Sequence, residues 1–312
     1  NFYDTINQPN VDDEEFTPEG KNHYTGKIFW DKVDHLAEVV SQIGTEQTPD
    51  GLAFFGVAEI ENRTVLETLA KHPKLVARNY QVVHYDGPDY RGVDCGFMYN
   101  PKYFNVLDSR SLRVNLKEVN SDGRPTRDIL YVKGLLNGSD TVHVFVNHWP
   151  SRRGGEELTA PYRKFAAGVS KKFIDSLMAI NPNTKVINMG DLNDNPTDPS
   201  MTKVLNCVDK KEKCKDGGLF NPWVDFYKKG IGTLGYNDAW SLFDQIVVSC
   251  GWLNNNQDGY FYHKAHIFNK EFMVQKTGKY KGYPKRTWDF NLYNAGYSDH
   301  FPTYITILKE LK

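Results

Sequence analysis

The sequence predicts an α/β fold in which the β-sheets are covered on both faces. Segments with apolar residues at helical spacing alternate with short strand-like runs. Several of those runs are apolar on both faces, as strands buried between two layers must be. No internal repeat or low-complexity linker divides the 312 residues, so residues 1–312 are expected to form one large domain.

The elements follow in order. Residues 1–27 are polar and turn-rich, carry the acidic run Asp12-Asp13-Glu14-Glu15, and read as a loop. A helix is predicted over 29–43, where Val33, Leu36, Ala37, Val40 and Ile43 form one stripe. Residues 52–58 read as a strand. A second helix over 63–71 stops before Pro73, because a proline disfavours helical backbone in the residue before it. The middle is dense in strands, at 80–85, 93–99, 112–115, 129–135 and 142–147, with Asp-Gly, Gly-Pro, Asn-Pro and Asn-Gly turns between them. A long helix is expected over 156–179, on the spacing of Phe165, Val169, Phe173 and Leu177. Residues 185–189 are a further strand, 206–238 a connection rich in Gly and Lys, and 244–249 and 303–308 the last two strands. A Tyr-, Lys- and Gly-rich loop over 254–296 separates those two strands.

Composition bounds the class. Apolar residues make up 39% and charged residues 25%, which is ordinary for a globular chain and argues against disorder, collagen-like repeats and a coiled coil. With 38 basic and 39 acidic residues the formal charge is −1, so the basic excess of a non-specific duplex binder is missing. Any nucleic-acid contact must then come from a local patch. No run of about 18 apolar residues could span a membrane. No signal peptide is visible, and Asn1 is not an initiator methionine, so an upstream segment is expected to have been removed or left out. Four cysteines are too few for a disulfide scaffold. Cys207 and Cys214 are close enough to bridge a loop, Cys95 and Cys250 sit in apolar runs, and four free thiols are the simplest expectation.

The informative feature is where acids, amides and histidines fall. Val57-Ala58 leads to Glu59, Val146-Asn147 to His148, Gly190 to Asp191-Leu192-Asn193, Leu242-Phe243 to Asp244, and Tyr297-Ser298 to Asp299-His300. Ends of adjacent strands converge, so these groups could meet at one edge of a core. Each has a plainer reading: Glu59 as an acid at a helix N-terminus, Asp191-Leu192-Asn193 as a turn, His148 as packing beside Trp149, Asp244 as a solvated edge residue. Yet residues i and i+2 of an extended segment point the same way, so Asp191 and Asn193 could face one ligand. Oxygen-rich acidic sites suit Mg²⁺ or Mn²⁺, and no zinc spacing, nucleotide-binding glycine loop or serine elbow appears.

In these motifs, taken in order, the chain resembles the endonuclease/exonuclease/phosphatase superfamily, the DNase-I-like proteins. The matching segments are Val57-Ala58-Glu59-Ile60-Glu61-Asn62-Arg63, Asn147-His148-Trp149-Pro150-Ser151-Arg152-Arg153-Gly154-Gly155, Gly190-Asp191-Leu192-Asn193-Asp194, Leu242-Phe243-Asp244-Gln245-Ile246 and Ser298-Asp299-His300-Phe301-Pro302. Asn1-Phe2-Tyr3-Asp4 resembles the tail of the family's first strand motif, whose metal-site asparagine would stand upstream of it, so a truncated first strand is expected. The resemblance implies a four-layer α/β sandwich: two packed, mostly antiparallel β-sheets flanked by helices. It implies that Glu59 is the principal ligand of a Mg²⁺ or Mn²⁺ ion, with Asp299 beside the same site. Asp191 and Asn193 would position the attacking water and the phosphate oxygens. Asp244 would orient His300, the base or electrostatic partner of the scissile phosphate, with His148 opposite and Asp94 behind His148. Arg127 would hold a phosphate oxygen, and Arg152 would bind substrate.

The implied activity is metal-dependent hydrolysis of a phosphate ester. A nuclease comes first, because the Asn-His-Trp-Pro-Ser-Arg-Arg segment resembles that of extracellular-nuclease-like bacterial members; a secreted or periplasmic location is accordingly favoured over the cytoplasm. A phosphodiesterase or phosphatase acting on a lipid headgroup or small phosphorylated molecule is the alternative, and the missing positive charge suits it. A non-catalytic binding module would require lost catalytic groups, and all are present. The loops 206–238 and 254–296 are expected to rim the site, with Tyr236, Trp240, Trp288 and Arg286 as candidates for stacking or phosphate contact. The partner is the phosphate-ester substrate, with nucleic acid as one candidate, and the chain is expected to be a monomer.

Overall fold

The computed structural model describes residues 1–253, 259–290 and 292–310. Its helices are α1 (Gly26–Gln42), α2 (Arg63–Ala70), α3 (Glu156–Ile180) and α4 (Val224–Lys228). The strands of the first half are β1 (Phe54–Ile60), β2 (Gln81–His84), β3 (Asp94–Tyr99), β4 (Phe104–Leu112), β5 (Ile129–Leu136) and β6 (Asp140–His148). Those that follow are β7 (Lys185–Asp191), β8 (Cys207–Val208), β9 (Leu219–Phe220), β10 (Leu234–Tyr236), β11 (Ala239–Ser241) and β12 (Asp244–Ser249). The last are β13 (Phe261–Ile267), β14 (Trp288–Asp289), β15 (Leu292–Tyr293) and β16 (Thr303–Leu308).

A seven-stranded sheet runs in the order β4-β5-β6-β7-β12-β9-β8 and is antiparallel except at β6–β7 and β8–β9. β1-β3-β2 and β13-β16 form separate antiparallel sheets, and β10–β11 and β14–β15 are hairpins.

The apolar pattern stacks these parts into four layers. Along β6, Val144 and Val146 enter one core, where Phe97 of β3 and Ala265 of β13 meet the large sheet. Phe145, between them in sequence, points the other way and packs with Ala166, Ala167 and Ile174 of α3. That is why β6 reads as apolar on both faces. The outer face of β1 and β3 carries Phe55 and Met98, which pack on Val33 and Ala37 of α1 and Leu66 and Leu69 of α2. Each buried Val, Leu, Ile, Phe or Met among them contributes about 1.5–3 kcal/mol of transfer free energy. The order is therefore helix, sheet, sheets, helices. α2 starts where the Asn62 side chain accepts a hydrogen bond from the Val65 amide at 3.1 Å.

An apolar cavity of about 520 Å³ lies between β1 and β16 and reaches Asp191 and Asp244. At its neighbouring edge Phe2 forms a parallel bridge with Ile60, and its amide donates to the Glu59 carbonyl at 2.8 Å.

Several strands depart from the sequence reading: β8, β9 and β10 lie inside the expected connection 206–238, β14 and β15 inside the expected loop 254–296, and the two longest departures are β4 and β13. β4 ends at Leu112, where a strand was expected to begin, and β13 lies inside the expected loop 254–296. Both hide their pattern: β4 is an edge strand carrying Asp108, Ser109 and Arg110, and β13 mixes buried Tyr262 and Ala265 with exposed His263 and Lys264. Residues 254–258 and 291 of that loop lie outside the described residues. The expectation of four free thiols is corrected, and the Cys207–Cys214 bridge that the spacing allowed does not form. Cys214 bonds Cys250, with Cα atoms 5.6 Å apart, while Cys95 and Cys207 are free. The reason is packing side: Cys207 sits against the α3 core, and Cys214 against the inter-sheet core.

Candidate active site

The pairing of three strands sets three functional side chains in a row. In the parallel β6–β7 pair His148 stands opposite Asp191, and in the antiparallel β7–β12 pair Asp191 stands opposite Asp244. Gly190 makes the first pairing possible. Its φ is +136°, and a Cβ there would lie 1.9 Å from the Asn147 carbonyl oxygen, so no other residue fits. Asn147 is fully buried and anchors the turn. Its amide nitrogen donates to the Met189 carbonyl and to Asn188 Oδ1, and its Oδ1 accepts from Trp149 Nε1 and Ser170 Oγ, at 2.9–3.1 Å.

Glu59 reaches the same place by a β-bulge. β1 and β3 slip register between Ala58 and Ile60, and Glu59 takes φ +58°. Its Oε1 lies 4.0 Å from His148 Nε2, which is also 3.7 Å from Asp191 Oδ2. His300 Nδ1 is 2.8 Å from Asp244 Oδ2 and 4.0 Å from that same Asp191 oxygen. Both imidazoles therefore flank Asp191. Thr233, fully buried, donates to Asp244 Oδ2 at 2.5 Å and holds the carboxylate toward His300.

The surroundings push the two histidine pKa values in opposite directions. Burial disfavours an imidazolium at His148, and Arg127 and Arg91 push the same way, so its pKa lies well below the ordinary value despite Glu59. Burial also opposes charging of His300, but Asp244, Asp191 and Asp299 outweigh it and raise its pKa well above the ordinary value. Burial, Asp244 and Glu59 raise the Asp191 carboxyl to about 7, against the pull of His300. Burial likewise opposes ionisation of Glu59, and the charges of Arg91 and Arg127 pull its pKa down against it.

A cavity of about 530 Å³ opens over this row, with Glu59, Asp191, Asp244, Asp299 and His300 on its walls. Asp299 is exposed to it. The donor set fits a hard divalent cation, because Glu59, Asp191, Asp244 and Asp299 line one cavity with no thiol among its lining residues. Asp191, Asp244 and His300 also offer ligand atoms within 4.8 Å of one another.

Several expected residues take other roles. Asp94 does not stand behind His148. It lies on the face of β3 shared with Gly96, which pairs with His84, so its Oδ2 meets His84 Nε2 at 3.3 Å. His148 Nδ1 is buried with no hydrogen-bond partner among the described residues. Arg152 is not free for substrate: it donates to the Asn193 carbonyl at 2.8 Å, pairs with Asp194, Asp198 and Glu156, and covers the Phe243 ring. It braces the turn after Asp191. Arg127 is buried and donates to Asp89 at 3.0 Å and to the Trp149 carbonyl at 2.6 Å, so it acts on the site by its field rather than as an exposed grip. The Asn193 amide N–H binds Asp191 Oδ1 at 2.9 Å, and its side-chain nitrogen donates to the Trp149 carbonyl. Of the four loop candidates, Arg286 and Trp288 line the cavity. Trp240 packs on Phe301 and Tyr283, and Tyr236 is exposed on β10; neither is on the cavity wall.

Three site residues escaped the sequence reading. Arg91 comes within 3.8 Å of Glu59 and shares Asp89 with Arg127. Lys32, buried in α1, lines the cavity and donates to Thr287 Oγ1 and the Tyr297 carbonyl at 2.7 and 2.6 Å. Thr233 is the third. The Asp89-Tyr90-Arg91 spacing was a visible signal for the first; the other two lie far from any motif.

Comparison with known proteins agrees with this fold. The family model described as Endonuclease/Exonuclease/phosphatase family matches residues 1–309. Among solved structures, an endonuclease/exonuclease/phosphatase family protein from Bacteroides thetaiotaomicron superposes with a TM-score of 0.56 at 13% identity, over 99% of this chain and 97% of that one. A mannosyl-6-phosphatase from the same organism gives 0.54 at 12% identity, over 98% and 97%. D. rerio TDP2 complexed with single-strand DNA product gives 0.53 at 14% identity, over 90% and 92%. At such identities the likeness is one of fold. No curated protein matches the sequence.

Proposed function

The chain belongs to the endonuclease/exonuclease/phosphatase family, and on that premise we propose that it is a divalent-metal-dependent phosphoesterase acting on nucleic-acid phosphodiesters. One observation carries the reading: two imidazoles, His148 and His300, both stand within 4.0 Å of Asp191 Oδ2. Such a pair can flank a phosphate and serve its two sides differently. His300, kept charged by Asp244, stabilises the added negative charge of the pentacoordinate transition state. His148, kept neutral, presents Nε2 to the same phosphate from the other side. Asp191, near 7, accepts the proton of the attacking water, and the Asn193 amide fixes its other oxygen. Arg127 and Arg91 supply a positive field behind Glu59. Glu59 and Asp299 would hold Mg²⁺ or Mn²⁺, which neutralises phosphate charge when bound.

Nucleic acid is favoured over a small phosphorylated molecule by Arg286, which reaches the cavity beside Trp288 and ends a segment, 279–286, that carries Lys279, Lys281 and Lys285 and no acid. The Cys214–Cys250 disulfide supports a secreted or periplasmic location, where such bonds persist. The test is a substrate panel with Mg²⁺: DNA, RNA, sphingomyelin, inositol phosphates and mannose 6-phosphate. Highest kcat/KM on an oligonucleotide, with steep loss in His148→Ala, is the expected result. Turnover of only a lipid or sugar phosphate would refute the nucleic-acid assignment, and no turnover of any would refute hydrolysis.

A further inference from the structure

The β14–β15 hairpin stands on the cavity rim, and Phe290 lies in the connection between its strands. Three features of Phe290 do not fit an ordinary loop residue. It is 86% exposed, the most exposed large apolar residue among those described. Its φ is +52°, a left-handed backbone that is costly for a bulky side chain and natural for Gly or Asn. It also lines the same cavity as Glu59, Asp299 and His300. Folding gains nothing from an exposed aromatic ring in a strained conformation; strain of this kind is retained where a site uses it.

The base of the hairpin is tied to the scaffold. Trp288, at its base, packs against Tyr24 and Tyr293, with ring centroids 6.5 and 5.3 Å away. The Tyr293 hydroxyl donates to Asp31 of α1. Lys32 ties both flanks to α1 through Thr287 and the Tyr297 carbonyl. The Asn294 amide closes the base on the Thr287 carbonyl at 2.8 Å. A buried lysine and two tyrosines thus fix the hairpin to the scaffold, and a positioned aromatic face needs such support.

We propose that Phe290 is a stacking platform for the nucleobase next to the scissile phosphate, so that the enzyme takes unpaired nucleic acid. This rests on the phosphodiesterase reading above and narrows its substrate. A phosphate held between His148 and His300 places its attached nucleoside toward the rim, where an exposed π-face meets a base of any sequence. Arg286 lines the same cavity and can meet the adjoining backbone phosphate. A base inside a duplex is already stacked on both faces, so only an unpaired base can use the platform.

The experiment compares two single-stranded oligomers of equal length and charge, one with bases and one abasic, by kcat/KM in Mg²⁺. Wild type should prefer the base-bearing oligomer. In Phe290→Ala the ratio of the two kcat/KM values should fall about tenfold or more, and Phe290→Trp should keep it. Phe290→Asn, which tolerates the left-handed backbone, should raise Tm while lowering the ratio as alanine does. The exposure of Phe290 makes unfolding of these variants a poor explanation of any change, and Tm checks it. An unchanged ratio in Phe290→Ala would overturn the platform while leaving hydrolysis intact. So would binding of the wild type to zwitterionic phosphatidylcholine vesicles that Phe290→Ala abolishes at an unchanged ratio; the ring would then be a membrane contact. Wild-type failure to cleave either oligomer would instead overturn the phosphodiesterase reading itself.

Discussion

Replacing Asp244 by Asn should uncouple His300 from the site while leaving its place in the fold unchanged. The two side chains are 2.8 Å apart and each about four-fifths buried. At an effective dielectric constant of about 20 their attraction is about 6 kcal/mol. Desolvation offsets most of it, and a hydrogen bond to a charged group nets about 1.5–3 kcal/mol. If the transition state uses all of that, kcat falls about 10- to 150-fold. Asn retains an oxygen to accept the Thr233 hydroxyl, so the loss should come from charge and not from packing. The sign for His300 follows too. Asp244 is the chief group opposing burial there, so its neutralisation lowers the His300 pKa and favours the uncharged ring at neutral pH. The assay is steady-state hydrolysis of a single-stranded oligonucleotide in saturating Mg²⁺, with ¹⁵N NMR titration of the His300 imidazole. Asp244→Asn, His300→Ala and the double variant should be strongly non-additive, as residues acting through one another are. A kcat within twofold of wild type, with an unmoved His300 titration, would refute the reasoning.

Arg152→Ala should lower Tm and kcat with little change in KM, because Arg152 braces Asn193, Asp194 and Asp198; a KM effect alone would return it to substrate binding. Removing the Cys214–Cys250 bond by paired serine substitutions should cost about 3–4 kcal/mol in urea unfolding for a closure spanning 36 residues, an entropy-model figure that a cost under about 1 kcal/mol would contradict. Burial, helped by Lys133, lowers the His143 pKa from 6.5 to about 4. The unfolded chain then binds the proton more tightly, so this contribution is complete above pH 6.5 and is lost as pH falls toward 4, by about 2 kcal/mol once partial exposure is allowed for. His143→Gln should flatten that part of the pH–stability curve, and an unchanged curve would contradict it.

The row of candidate site residues was legible because its signals are local. An apolar run that stops at an acid or histidine marks a strand end, and β6, β7 and β12 end or begin at His148, Asp191 and Asp244. Pairing register then does the assembly without further sequence signal. What failed was long-range. Asp94 was paired with the wrong histidine because the bulge at Glu59 and the face of β3 are properties of strand pairing, not of the segment Val93-Asp94-Cys95. Arg152 looked like a substrate arginine because its partners lie across the turn after Asp191, about 40 residues on. β4 and β13 carry polar residues on their open faces and so lack an apolar run. Phe290 carries no sequence signal at all: its exposure and backbone strain exist only in the folded chain.

Metal dependence and Glu59 together test the central claim most directly. The measurement is the initial rate of oligonucleotide hydrolysis by wild type and by Glu59→Gln, each across a Mg²⁺ titration and again in excess EDTA. The account predicts that EDTA abolishes wild-type turnover, that restored Mg²⁺ recovers it, and that Glu59→Gln stays at least about 10²-fold slower at any Mg²⁺ concentration, as loss of a positioned catalytic group requires. Full wild-type turnover in EDTA, or a Glu59→Gln enzyme as fast as wild type, would contradict it.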